Sequence, residues 1–240
     1  MTKHLFLFSF LLLSACFATL AVAAQSVALV PVDRQDNWWQ QRHAGNVERI
    51  EQGNVNLLMI GDSITQGWDG HRELWEQTFG KYNPVNMGFS GDRTEHVLWR
   101  LDHLPLDRIT PKGVVIMIGT NNIGHGSSTP TETAQGIKAI VDKLQKQYPD
   151  IKILLLHVFP RDQAADGRFR VMVNAINAYL PELFKDEEYK NVTLLDIGPK
   201  FLAEDKTLPL SVMPDQLHLN ADGYRIWADA MVEPLAELMK

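Results

Sequence analysis

"LLMIGDSITQGWDG", residues 57–70, is an apolar run that stops abruptly on Gly61-Asp62-Ser63. Leu57, Leu58, Met59 and Ile60 do not alternate with polar residues, the pattern of a short strand covered on both faces. At its end stand a flexible residue, a carboxylate and a hydroxyl. Two readings fit that tripeptide. Gly, Asp and Ser all favour turns, because each relieves or satisfies the local backbone; alternatively, Ser63 is a nucleophile presented at a strand end. The tripeptide alone does not separate them.

Working outward, similar apolar runs recur at 55–60, 84–88, 113–118, 151–157 and 192–196, and helical patterns lie between them. The helical segments are 36–51 (with Asp36 placed to cap it), 71–79, 93–103, 131–147, 167–185 and 220–238, the last interrupted by Pro234, which is expected to kink or shorten it. Strand–helix alternation at this spacing predicts an α/β fold: a three-layer α/β/α sandwich around a five-stranded, mainly parallel sheet. With no repeat, low-complexity tract or linker, residues 25–240 read as one domain.

The chain has 240 residues, 45% hydrophobic and 22% charged, a composition suited to a globular protein with a substantial core. A net charge of −6 without a basic stripe argues against a nucleic-acid partner. Residues 1–24 carry Lys3 and His4, an apolar stretch from Leu5 and small residues at Ala21-Val22-Ala23-Ala24, the layout of a cleaved secretory signal. The expectation is therefore a secreted or periplasmic protein without stable membrane insertion. "LSAC" (Leu13 to Cys16) offers the alternative of lipoprotein anchoring at Cys16, although the following "FATLAVAA" is apolar rather than a polar tether. Cys16 is the only cysteine, so cleavage after it removes disulfides, thiol nucleophiles and thiolate metal sites together.

In an open parallel sheet, ligands bind at the carboxyl ends of the strands. The segments expected there are Gly61-Asp62-Ser63, "GFSGDRT" (88–94), "GTNNIGHG" (119–126), "FPRD" (159–162) and "MPDQLHLNADGY" (213–224). A serine hydrolase needs a hydroxyl, an imidazole to relay its proton, a carboxylate to orient the imidazole, and donors for the oxyanion. Ser63, His218 and Asp215 supply the first three, with Asp215 and His218 three residues apart in one loop. Gly91, in a glycine-containing turn, can bring a backbone N–H close to a ligand, and the Asn121 side-chain amide can donate without a change of charge. Taken singly, each of these residues is equally at home in a solvated turn.

Together, and in this order, "IGDSITQGW", "NMGFSGDRTEHVLWRL", "MIGTNNIGHG" and "PDQLHLNADGY" resemble the four blocks of the SGNH (GDSL) hydrolase superfamily over about residues 55 to 238. The pairing of "GDRTEHVLWRL" with "GTNNIGH" is similar to the branch containing the platelet-activating-factor acetylhydrolase catalytic subunits. The resemblance implies a flavodoxin-like fold and an esterase in which Ser63 attacks, His218 relays the proton and Asp215 orients His218. It also implies an oxyanion hole formed by Ser63, Gly91 and Asn121. No metal or organic cofactor is implied, a homodimer is a family expectation, and the partners are small-molecule or polysaccharide acyl esters. The sequence departs from many members in having Asn122, rather than Asp, after Asn121. Thr65 occupies the position where an α/β-hydrolase elbow requires glycine.

Ile64, Phe89, His125 and Leu217 are candidates for lining the substrate pocket, and Trp68 and Trp99 could also wall it, although large aromatics commonly serve the core. His96 and His103 read as surface or capping residues, and Arg161 as a surface salt-bridge partner or, alternatively, a contact for a polar or anionic part of the substrate. No His-Glu-x-x-His or comparable metal spacing occurs. The expected reaction is hydrolysis of short, chiefly acetyl, esters of O-acetylated carbohydrate. The alternatives are a phospholipid-like ester, a thioester, or a binding module on the same scaffold.

Overall fold

The computed structural model describes residues 25–240. Residues 1–24, with the signal-peptide and Cys16 readings that fall on them, lie outside the described residues.

Five strands form one sheet: β1 (Leu57–Gly61), β2 (Pro84–Gly88), β3 (Gly113–Met117), β4 (Lys152–Leu156) and β5 (Val192–Leu195), in the order β2-β1-β3-β4-β5. Every pairing is parallel. Eight helices surround them among the described residues: α1 (Asn37–Glu51), α2 (Ser63–Gln66), α3 (Arg72–Phe79), α4 (Thr94–Asp102), α5 (Thr120–Gly124), α6 (Pro130–Gln147), α7 (Arg168–Leu183) and α8 (Ala221–Leu238).

The period-2 geometry of a strand divides its side chains between two faces. Leu58 and Ile60 of β1 join a core with α4, α6, α7 and Ile50 of α1, whereas Leu57 and Met59 join the opposite core with Phe79 of α3 and the inner face of α8. The central strands are buried on both faces, which is why they read as unbroken apolar runs. Trp68 belongs to this second core, packed among Trp75, Phe79, Tyr224 and Trp227.

Three local expectations are corrected. Asp36 stands at the α1 N-cap position, but its carboxylate makes no cap bond and instead pairs with Arg34 at 3.0 Å. Pro234 neither ends nor shortens α8, which runs on to Leu238. The short helices α2 and α5 follow strand ends that read as loops, too short for any hydrophobic period to register.

Gly61 and Gly88 are partners across the β1–β2 ladder, where β1 turns into α2. A Cβ on Gly88 would lie 2.1 Å from the Gln66 backbone nitrogen and 2.5 Å from the Thr65 carbonyl carbon. Because these neighbours are backbone atoms, the helix itself would have to shift. Gly88→Ala is therefore expected to lower stability by about 1–3 kcal/mol or more, the range for forced overpacking. A thermal melt indistinguishable from that of the unmodified protein would show that α2 does not rest on this glycine.

Candidate active site

The carboxyl ends of the strands bring Ser63, Gly91, Asn121, Asp215 and His218 onto one edge of the sheet. Ser63 is the first residue of α2, and Asp62 caps that helix, its carboxylate accepting from the Ile64 N–H at 3.0 Å. Tyr224 of α8 donates its hydroxyl to the Ile64 carbonyl at 2.7 Å, tying the serine helix to the helix that follows His218. Gly67 leaves room for this contact, since a Cβ there would meet the Tyr224 hydroxyl at 1.9 Å.

Ser63 Oγ lies 2.8 Å from His218 Nε2, and His218 Nδ1 lies 2.6 Å from Asp215 Oδ2. The other Asp215 oxygen accepts the backbone N–H groups of His218 (2.7 Å) and Leu217 (3.0 Å), so one carboxylate both turns the loop and orients the ring. Partial burial works to raise the Asp215 carboxyl, but the hydrogen bonds from the His218 side chain and these two amides outweigh it and hold it below the usual range. The loop between them turns through Gln216 at a φ of +63°. Gln216 is buttressed by the segment after β4: its carbonyl accepts from Asp162 N–H at 3.1 Å and its side chain from Gln163 N–H at 2.9 Å. This chain of hydroxyl, imidazole and carboxylate can pass a proton away from Ser63 and return it. It is open to solvent, with side-chain exposures of 44% for His218 and 56% for Asp215.

Gly91 occupies a left-handed conformation, φ +76°, in a turn closed by Asp92 N–H donating to the Phe89 carbonyl at 3.0 Å. Asn121 donates one amide hydrogen to the Asp92 carbonyl at 3.0 Å, which fixes the amide plane. Its neighbour Asn122 accepts from Thr94 N–H at 3.0 Å and donates to Thr94 Oγ1 and to buried Glu95 Oε2, each at 3.1 Å. An aspartate at position 122 would set a second carboxylate against Glu95. That repulsion is a physical reason for the departure from the family pattern.

The pocket candidates divide. Ile64 and Phe89 are 1% and 0% exposed and do not line an open pocket. Ile64 packs into the core shared with α8, while Phe89 lies beneath the Arg100 guanidinium, 3.9 Å from its ring, and against Trp39. Leu217 is partly buried against the same core as Ile64, and His125 is exposed, with Nδ1 3.4 Å from Arg93 Nη1. Trp99 stacks on His103 and packs against Trp39 and His43. His96 is buried, not on the surface, where Nδ1 accepts the Arg93 N–H at 3.0 Å and caps α4. Arg161 forms no salt bridge among the described residues; it donates to Thr120 Oγ1 at 3.1 Å and lies over the Phe169 ring. Among the described residues, no group of three or more His, Cys, Asp or Glu is placed to hold a metal, and no helix is long and apolar enough to cross a membrane.

Residues 59–226 match the GDSL-like lipase/acylhydrolase family. The chain belongs to this family. Among curated proteins it is similar to platelet-activating factor acetylhydrolase IB subunit alpha2 of Gallus gallus, 34% identical over 207 residues, covering 85% of this chain and 84% of that protein. The Homo sapiens protein of the same name is also 34% identical, over 206 residues, with the same coverage. Among solved structures it is similar to an acetyl xylan esterase (24% identity, TM-score 0.61, covering 75% of this chain and 100% of that one). A carbohydrate esterase family 3 protein from Talaromyces cellulolyticus is a further fold neighbour (16% identity, TM-score 0.58, covering 77% and 98%). As a GDSL-like acylhydrolase, the protein is a carboxylic ester hydrolase.

Asp62, next to the serine, is fully buried, and one carboxylate oxygen has no partner among the described residues. Burial pushes its carboxyl up to about 7, against the opposing pull of the Ile64 N–H, His218 and Arg161. A carboxyl raised on folding takes up a proton between its unfolded value, about 4, and its folded one, so its contribution to stability falls as pH rises across that window. Relative to Asp62→Asn, which cannot ionise, the protein is expected to lose stability from about pH 4 to about pH 7 and then to level off. Denaturant titrations of both proteins across that range check this; a difference that stays constant with pH would contradict it.

Proposed function

We propose that the protein is an exported serine esterase that removes short acyl groups, chiefly acetyl, from O-acetylated carbohydrate. The observation that carries the reading is the unbroken hydrogen-bonded chain from Ser63 through His218 to Asp215 at an open sheet edge. Ser63 Oγ attacks the ester carbonyl as His218 Nε2 takes its proton. His218 then protonates the departing alcohol, leaving an acyl group on Ser63. Water, deprotonated by the same imidazole, releases the acid and restores the hydroxyl. The oxyanion is met by the N–H groups of Ser63 and Gly91 and by the free hydrogen of the Asn121 amide.

Two features favour a short acyl group on a hydroxylated alcohol. Ile64 and Phe89, the apolar residues beside the serine and the Gly91 turn, are closed into the core and offer no wall for a long chain. The solvent-open imidazole and carboxylate leave room for a bulky, hydrated leaving group. The fold neighbours named an acetyl xylan esterase and a carbohydrate esterase support this direction, as does the reading of residues 1–24 as an export signal. Similarity to platelet-activating factor acetylhydrolase subunits favours a second reading, an acetyl ester of a phospholipid-like alcohol.

Acid release from acetylated xylan, acetylated monosaccharides, an acetylated ether phospholipid, and acetyl-to-palmitoyl aryl esters separates these readings. The expected outcome is Ser63-dependent turnover of acetyl esters, fastest on the saccharides and falling with acyl length. A preference for the ether phospholipid would transfer the assignment to the second reading. Fast long-chain turnover without acetyl release would contradict the acyl-length reading, and no hydrolysis above a Ser63→Ala control would leave a binding module.

A further inference from the structure

We propose that Arg34, in the segment leading into α1, is a positioning residue that sets the orientation of the Gly91 N–H in the oxyanion hole. The proposal rests on the esterase reading above. Phe89, Ser90, Gly91 and Asp92 form a β-turn, closed by the Asp92 N–H to Phe89 carbonyl bond of 3.0 Å. Gly91 at φ +76°, with Ser90 absent from the residues of positive φ, makes it type II. Type II differs from type I by a flip of the central peptide, here the bond between Ser90 and Gly91. That peptide is planar and trans, so the Ser90 carbonyl and the Gly91 N–H point in opposite directions. Whatever holds the carbonyl therefore aims the N–H.

Arg34 holds it. Its Nη1 donates to the Ser90 carbonyl at 2.6 Å and stands 3.5 Å from Asp92 Oδ1. The guanidinium is itself fixed, because Nε and Nη2 lie 3.1 and 3.0 Å from Asp36 Oδ2 and the group packs over the Trp38 ring. The backbone carrying it is pinned as well: the Arg34 carbonyl accepts from Gln40 Nε2 at 2.6 Å, and Val32 N–H donates to the Glu95 carbonyl at 3.2 Å. On the other side of the turn, Gln66 Oε1 of α2 accepts the Ser90 N–H at 2.6 Å. Without Arg34, the central peptide is free to flip toward type I, which turns the Gly91 N–H away and presents a carbonyl to a developing negative charge. Glycine suits position 91 because its φ disfavours side chains, and a Cβ there would also press on Arg34 Nη1 at 3.1 Å, so the guanidinium would have to give way slightly.

Arg34 sits in "PVDRQD", 29 residues before Ser63 and outside every motif of the site. Its role is expected to show in kcat rather than KM, since an oxyanion donor acts on the transition state. Arg34→Ala is expected to lower kcat on an aryl acetate about 10–100-fold, less than outright loss of a donor, with KM within about threefold and the thermal melt little changed. Arg34→Lys, which keeps one donor able to reach the Ser90 carbonyl, should recover part of the loss. The discriminating readout is a matched thionoester, whose sulfur is a poor hydrogen-bond acceptor. Arg34→Ala should lose much less on the thionoester, so the preference for oxygen ester should fall by nearly the factor lost in kcat. Equal losses on both substrates, or kcat unchanged, would overturn the positioning role while leaving the esterase reading intact. Absence of Ser63-dependent hydrolysis by the unmodified protein would overturn both.

Discussion

The buried carboxylate of Asp92 is the constraint on which the site depends. It is wholly shielded from solvent and is met by Trp39 Nε1 at 2.7 Å and Arg100 Nε at 2.9 Å, with Arg34 at 3.5 Å. Burial pushes its carboxyl up, and the Arg100 charge together with the Trp39 and Arg100 hydrogen bonds pulls it back. Breaking such a pair leaves an uncompensated charge in the interior, at a cost of about 3–5 kcal/mol. Three pieces of chain must therefore meet at this point: α1 through Trp39, the turn after β2, and α4 through Arg100. Because the Asp92 carbonyl also receives the Asn121 amide, the same node ties α5 and its candidate oxyanion donor to the Gly91 turn.

A second constraint lies on the far side of Ser63. Gly61 and Gly88 let α2 settle against the strand ends, and Tyr224 draws that helix toward α8, whose N-cap Asn220 is two residues from His218. The serine and the imidazole thus approach from separate parts of the chain, yet their 2.8 Å contact is set by packing beneath them. The chain from Ser63 through His218 to Asp215 is supported from below and open to solvent above.

What the sequence disclosed follows from which signals are local. Continuous apolar runs marked the central strands β1 and β3, which are buried on both faces as strands of a parallel sheet are, whereas the edge strands β2 and β5 carry Asn86 and Thr193 and are only partly buried. Ser63, Gly91, Asn121, Asp215 and His218 stood out as candidates because each lies in a polar or glycine-bearing segment just after a strand end or in the loop leading into α8. Burial of Ile64 and Phe89 was not legible, because nearness to a reactive residue in sequence says nothing about which way a side chain points. Phe89 is held down by Arg100, eleven residues away, and Arg34 reaches the Gly91 turn across a separation of 56 residues to Ser90. Such contacts carry no periodicity or spacing, so only the folded chain reveals them.

The central claim is that Ser63 is the nucleophile, activated by its contact with His218. Labelling with a fluorophosphonate, which phosphonylates activated serines, followed by peptide mapping by mass spectrometry, tests it directly. A single adduct on the peptide containing Ser63, lost in Ser63→Ala, is the predicted result. An adduct on another serine, such as Ser90, or labelling that survives Ser63→Ala, would contradict it.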